Sequence, residues 1–209
     1  MNTAMPPIDI SIRPVQAGEL DTFIELTLLI DLGIDAEQLP ALRAVIEASL
    51  QCEDGPLSHR LHHYLFAETT DGTPVAAVHC GPPLWMQHHS RIPGFMRSAL
   101  SERVSNIDTL AVHPSYRGRG IARSILNRVE DDFRRAGFVA MTLRHRHDKK
   151  AFFVRHGYTS TPRLAMILPS VGLVTETNRG WRHAVKPLTD EVSFTTVQGL
   201  TTATGLLPG

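Results

Sequence analysis

Residues Asn106 to Ala122 read NIDTLAVHPSYRGRGIA and constrain this chain more than any other stretch. Ile107 to Val112 has the composition of a strand and runs into a Pro114-Ser115 turn. Arg117 and Arg119 then alternate with Gly118 and Gly120, and an amphipathic helix follows at once. Such a junction builds an anion site. The first amides of a helix have no intrahelical acceptor, and the helix dipole makes that end positive. Glycines let the backbone close on a phosphate without a side chain in the way. The two arginines add positive charge. The pattern points to a ligand with a pyrophosphate, and so to an enzyme or a nucleotide binder. Two familiar phosphate loops do not fit. A P-loop would end in Gly-Lys-Ser/Thr, and a dinucleotide fingerprint would need a third glycine where Arg123 stands.

Composition narrows the class. A chain of 209 residues can bury one well-packed core. Lys+Arg 21 balances Asp+Glu 21, so no global field draws in nucleic acid or an anionic membrane. The basic residues cluster locally, at Arg117 to Arg128 and at Arg144 to Lys150. Cys52 and Cys80 are the only cysteines, too few for a disulfide framework, and a reduced, cytoplasmic setting is the default. The start MNTAMPPIDISIRP lacks the charged and apolar regions of a signal peptide, and no apolar run is long enough to span a membrane. The adjacent pairs His62-His63 and His88-His89 would point to opposite faces of a strand, which makes each a poor chelate. No metal is expected.

The hydrophobic pattern predicts alternating elements. Ile8 to Ile12 reads as a first strand, Ala17 to Ile30 as a helix, and Leu39 to Leu50 as a second helix with Pro40 in its first turn. His62 to Glu68 and Pro74 to Cys80 read as two strands joined at Asp71-Gly72. Gly81 to Ser101 reads as a long loop with a helical turn near Gly94 to Leu100. A strand at Ser105 to Val112 precedes a helix over about Gly120 to Ala136, in which Ile121, Ile125, Val129 and Phe133 form one stripe. Val139 to Arg144 reads as a strand. Asp148 is placed to cap a short helix ending near His156, and Leu164 to Leu168 to complete the sheet. Val192 to Val197 alternates like a strand, and the end TTATGLLPG has a frayed composition.

The string Arg117-Gly118-Arg119-Gly120-Ile121-Ala122 resembles the Arg/Gln-x-x-Gly-x-Gly/Ala signature of the GNAT family of N-acetyltransferases. The resemblance extends upstream through Leu110 to Pro114 and downstream through Ala151-Phe152-Phe153-Val154-Arg155-His156-Gly157-Tyr158. It implies an α/β fold: a central mixed, mostly antiparallel sheet flanked by helices on both faces, over residues 1–170. Residues 171–209 would be a C-terminal extension, either flexible or packing a strand onto a partner subunit. The resemblance further implies acetyl-CoA as co-substrate and the amine of a small molecule or peptide as acceptor, joined in a ternary complex, with a homodimer as a possible assembly. The backbone of Leu110, Ala111 and Val112 would hold the pantetheine arm. The amides of Arg117, Gly118, Arg119, Gly120, Ile121 and Ala122 would hold the pyrophosphate.

Acetyl transfer needs a free amine, a polarised carbonyl and a departing thiolate. A lysine-like amine near pKa 10.4 is almost wholly protonated at pH 7, a handicap of roughly 4–5 kcal/mol unless a base intervenes. Where the family often carries a glutamate, two residues ahead of Leu-x-Val, this chain has Asp108, the base candidate through a water. A satisfied strand carboxylate is the plainer reading of the same residue. His145 and His147 are alternatives with a suitable intrinsic pKa. The Val112 N–H is the candidate oxyanion donor. The family's usual acid, a tyrosine, falls at Phe153, which cannot donate a proton. A coenzyme A thiolate leaving unaided, or a donor such as Tyr116, would resolve that. Asp31, Asp35, Trp85, Met86 and His88 are placed near the acceptor by topology. Two rivals stand beside this reading: a toxin-type relative acting on aminoacyl-tRNA, and a binding module without turnover.

Overall fold

The computed structural model describes residues 8–30 and 35–209. Among the described residues, eleven strands and six α-helices follow one another in the order β1 (Ile10–Pro14), α1 (Leu20–Thr27), α2 (Leu39–Leu50), β2 (His63–Thr69), β3 (Pro74–Gly81), α3 (Leu84–His88), α4 (Gly94–Ser101), β4 (Val104–Val112), α5 (Ile121–Arg135), β5 (Ala140–His145), α6 (Lys150–Arg155), β6 (Thr159–Thr161), β7 (Leu164–Leu168), β8 (Gly172–Glu176), β9 (Arg182–Pro187), β10 (Ser193–Val197) and β11 (Leu200–Thr204). Seven strands are hydrogen-bonded in the order β1-β2-β3-β4-β5-β9-β6, and four more in the order β10-β11-β7-β8. The chain divides into two compact units. One comprises the residues up to Cys80 with Asp108–Asp132, the other Gly81–Ile107 with Phe133–Gly209. Strand β4 runs through both.

The first unit is organised by β2. Its first five side chains are all buried, and neighbours on a strand point to opposite faces. Tyr64 meets Phe23 of α1 edge-on, with ring centroids 5.4 Å apart. His63, one residue earlier, meets Asp132 of α5 at 2.8 Å. Helices α1 and α5 therefore cover opposite faces of this part of the sheet. Val15, Leu20, Phe23, Ile24, Ile46, Leu50, Tyr64 and Phe66 form the core under α1 and α2. Pro14 lies on β1, where a missing N–H is tolerated because β1 is an edge. On α5 the predicted stripe of Ile121, Ile125, Val129 and Phe133 is buried throughout.

The second unit departs most from the sequence reading. Gly81 to Ser101 is not a loop with one turn but carries α3 and α4. Met86, Met96 and Leu100 of these helices enter a core with Val104, Leu164, Met166, Leu168, Val174, Ala203 and Leu206. Leu164–Leu168 does not complete the larger sheet; it pairs with β8 and β11 in the four-stranded one. Residues 171–209 form β8 to β11. Strand β9 pairs with β5 on one side and β6 on the other, within the same chain. The C-terminal segment is strand β11 followed by a buried Leu206, whose carbonyl accepts from Arg103 Nε at 3.0 Å. Asp148 makes no side-chain cap; it lies in a 3-10 turn before α6 and pairs with Lys149 at 2.7 Å. Among the described residues, no helix is long and apolar enough to cross a membrane.

Two stability predictions follow from this packing. Leu206→Ala should lower the unfolding free energy by about 2–5 kcal/mol in urea denaturation, the range for emptying a buried leucine site; a frayed terminus would show no change. The second concerns Asp132. Burial opposes its charge, but hydrogen bonds from His63 and from Arg128 Nε, at 2.7 Å, outweigh this and hold its carboxyl below the usual carboxylate range. A carboxyl depressed in the folded state contributes stability above its unfolded value and loses it as pH falls through the folded one. Urea midpoints of wild type and Asp132→Asn, measured from pH 7 downward, should differ most at neutral pH and converge in acid.

Candidate acetyl-CoA site

Strand β4 ends in a phosphate-loop geometry. Its last residue Val112 is followed by a 3-10 turn at Pro114–Tyr116, then by Arg117 to Gly120 and the first turn of α5. Gly118 and Gly120 hold φ of 79° and 86°, left-handed backbone that L side chains adopt only under strain. No heavy atom lies within 4 Å of a Cβ built at either glycine, so the loop's face is open and packing does not demand the glycines. Conformation and clearance do. Arg117 and Gly118 are exposed, and the Arg119 guanidinium lies 5.6 Å from the Tyr116 ring centroid. An exposed, positively charged, glycine-bent helix start fits a pyrophosphate.

The strand's backbone refines the expected contacts. His113 N–H donates to Val75 O of β3 at 2.8 Å. Successive residues of a strand direct their N–H and C=O groups to opposite sides, so Val112 presents its own away from β3. Arg117 Nε donates to the Val112 carbonyl at 3.0 Å, which leaves the Val112 N–H as the directed donor. The same alternation turns Leu110 to the open side and Ala111 toward β3. Of the three residues expected at the pantetheine arm, Leu110 and Val112 have the suitable backbone. Pairing of β4 with β5 covers Val104–Ile107 against Ala140–Leu143, ahead of all three.

Asp108 lies on β4 with an exposed position and a 26% exposed side chain. Its Oδ2 is 3.4 Å from His79 Nδ1 of β3. His79 Nε2 in turn is 3.1 Å from His62 Nδ1. Tyr64, directly opposite His79 in the β2–β3 register, stacks flat on it at 4.4 Å with ring planes 2° apart. Burial pushes the His79 imidazole down to about 3, and the neighbouring His62 adds to the effect. Burial also depresses His62 and raises the Tyr64 phenol to about 12. Sequence reading missed His79. The signal was present, because a hairpin turning at Asp71-Gly72 pairs Tyr64 with His79 by simple counting.

His145 belongs to the second unit, and the geometry there is that of a structural residue. Its Nδ1–H donates to Arg146 O at 2.7 Å, and its Nε2 lies 2.9 Å from Ser160 Oγ, which also accepts from Arg182 Nε. Both nitrogens are engaged, the residue is 3% exposed, and burial lowers its pKa. These contacts leave no lone pair for a substrate proton. Phe153 packs 5.1 Å from the His145 ring and 5.8 Å from Tyr158. Met86 is buried in the core of the second unit, and the partly buried Trp85 packs against it. Asp35 is exposed, and Asp31 lies outside the described residues. Burial pushes the Cys80 thiol well up, consistent with an inert side chain. Among the described residues, no group of three metal-ligating side chains occurs.

Comparison with known proteins bears on the family and the fold. The model of the Acetyltransferase (GNAT) family matches residues 34–158, a span that includes both the phosphate loop and Ala151 to Tyr158. Among curated proteins, none matches the chain in sequence. Solved structures share the fold. The PaiA N-acetyltransferase of Thermoplasma acidophilum, in complex with coenzyme A, superposes with a TM-score of 0.58 at 14% identity, over 86% of this chain and 99% of its own. YncA of Salmonella typhimurium, with its cofactor acetyl-CoA, gives 0.53 at 17% identity, over 88% and 97%. The ribosomal-protein-S18-alanine N-acetyltransferase of Escherichia coli gives 0.54 at 12% identity, over 92% and 99%. With the family model spanning more than half its length, this chain belongs to the GNAT acetyltransferase family.

Proposed function

We propose that this protein moves an acetyl group from acetyl-CoA to the amine of a small molecule or peptide, by direct attack in a ternary complex. The observation that carries the reading is the open loop at Gly118 and Gly120, bent by positive φ at the start of α5 beside Arg117 and Arg119. That loop supplies what a pyrophosphate requires: directed amides, fixed charge and no obstructing Cβ. Acetyl-CoA supplies the activated acyl group when bound. Leu110 and Val112 would orient its pantetheine arm by backbone hydrogen bonds, and the Val112 N–H would stabilise the oxyanion. Asp108, through a water, would take the amine proton. Phe153 gives the thiolate no acid. A coenzyme A thiol, with a cysteine-like pKa near roughly 8.5, leaves as an acceptable anion without one. The balance of 21 Lys+Arg against 21 Asp+Glu favours a small or peptidic acceptor over a nucleic acid.

Two measurements test the reading. Calorimetry with acetyl-CoA should show binding to wild type. Any side chain at Gly120 adds strain, so Gly120→Ala is the control for Gly120→Glu. The carboxylate should weaken binding about tenfold or more beyond the alanine variant, since each tenfold loss is roughly 1.4 kcal/mol and like charges near contact exceed that. Equal losses would remove the pyrophosphate from this loop. In turnover over a panel of amines, Asp108→Asn should lower kcat about 100-fold or more while leaving acetyl-CoA binding intact, the range for losing a general base. A protein that binds acetyl-CoA yet acetylates no amine would instead be the binding module that Phe153 suggests.

A further inference from the structure

Acetyl transfer has a stoichiometric demand beyond the base itself, and the inference drawn from it rests on the acetyltransferase reading above. An ammonium and a thioester become an amide, a thiol and one free proton. Each turnover must therefore deliver one proton from the base to solvent. We infer that Asp108, His79 and His62 form a proton-exit chain that carries it there.

The geometry is that of a chain rather than a cluster. The His62 and His79 rings are nearly coplanar, 12° apart, with centroids separated by 5.4 Å. That separation is the 3.1 Å nitrogen–nitrogen distance plus the two ring radii, so the contact is an in-plane N–H···N hydrogen bond. A proton on that bond points along the line of transfer. On the far side of the His79 ring, Nδ1 faces Asp108 Oδ2 at 3.4 Å, a long contact of the kind that tightens once a site is filled. Tyr64 lies flat against His79 and fixes the plane of its ring. Its phenol stays protonated and does not compete for the charge. His62 is half-buried and, in this inference, is the member that hands the proton to solvent. Both imidazoles are held neutral by burial, which leaves each with one N–H and one lone pair, the condition for passing a proton on.

The step balances. Asp108 takes the amine proton and hands it to His79 Nδ1. His79 gives its Nε2 hydrogen to His62 Nδ1, and His62 gives its Nε2 hydrogen to water. One proton enters and one leaves. The carboxylate is free again, and each ring carries its hydrogen on Nδ1. Reprotonation of each ring at Nε2 with loss of its Nδ1 hydrogen, between turnovers, restores the starting tautomers with no net change in protons. His79 and His62 act through Asp108 and are positioning and relay residues. A purely structural reading exists for the pair, that of two core histidines satisfying each other, and it makes a different prediction.

The kinetic readout separates these readings, and the spectroscopic one can overturn the chain by itself. In protein labelled with nitrogen-15 at histidine, long-range proton–nitrogen spectra at pH 7 should show both rings neutral, with a slowly exchanging ring proton shared between them that vanishes in His62→Gln and in His79→Gln. A charged His79, or no shared proton, overturns the chain, and this needs no acceptor. In turnover with the best amine of the panel, His79→Gln and His62→Ala should lower kcat about tenfold or more, with the KM for acetyl-CoA unchanged. Added imidazole should restore part of the His62→Ala rate and none of the Asp108→Asn rate. His62→Gln, closer in size, guards against a folding defect. A kcat within about twofold of wild type in both histidine positions, given the factor of ten expected above, overturns the proposal. Wild type that fails to bind acetyl-CoA in calorimetry would overturn the acetyltransferase reading instead, and leave the spectroscopic result standing as a statement about the histidine pair.

Discussion

The alternation of β2 is the constraint on which the first unit depends. Tyr64, Leu65, Phe66 and Ala67 are wholly buried, so the strand has helical cover on both faces and no solvent side. A register slip of one residue would turn Tyr64 toward α5 and His63 toward α1. His63 makes such a slip expensive. Its ring bridges Ser58 Oγ and Asp132 at 2.8 Å each, and Asp132 is held by Arg128. A serine, a histidine and an aspartate in line invite a nucleophilic reading. Here the carboxylate is shared with a guanidinium that also reaches the Ile12 carbonyl, so the network serves to fasten β2 and β1 to α5. With that face fixed, Tyr64 and His79 must share the other face, and the chemistry proposed for Asp108 begins from that placement.

The glycine loop between β4 and α5 was legible in the sequence because its signal is local. Strand, turn, glycines and helix follow within one short stretch, and each glycine there answers to a backbone angle rather than to a distant neighbour. The stripe on α5 was legible for the same reason, since a period of 3.6 residues needs no partner to be seen. His145 shows the limit. Its intrinsic pKa and its position past a strand suggested a base. What disqualifies it is Ser160 and Arg182, which are distant in sequence and reach it through β6 and β9.

Strands β9 and β11 of the second unit were not legible, for a related reason. The end of the chain is rich in threonine and glycine, and small polar residues give a strand no hydrophobic alternation. Yet Thr202 and Ala203 are almost wholly buried, because β11 sits between β10 and β7. Strand β9 reads RHAVKP, with only two central apolar residues, and is a strand because β5 and β6 flank it. In both cases small side chains are buried by neighbours on two sides rather than by their own hydrophobicity. Pattern reading weighs only the second.

On β4 the proposed oxyanion donor and the proposed base share one strand. Val112 and Asp108 are four residues apart, so their separation is fixed by an extended backbone and does not depend on a mobile loop. Catalytic geometry held on a strand is costly to disturb, and this gives the proton a fixed point of departure. It also bears on why the proposed relay residues are histidines on β3 and immediately ahead of β2. The strand next to β4 in the order of the sheet is β3, and the strand next to that is β2. A chain running from Asp108 toward solvent across that sheet must step from strand to strand. At each step the side chain has to accept a proton on one edge and release it from another. Imidazole is the side chain that does so with neither edge charged at neutral pH. His79 and His62 occupy those two steps.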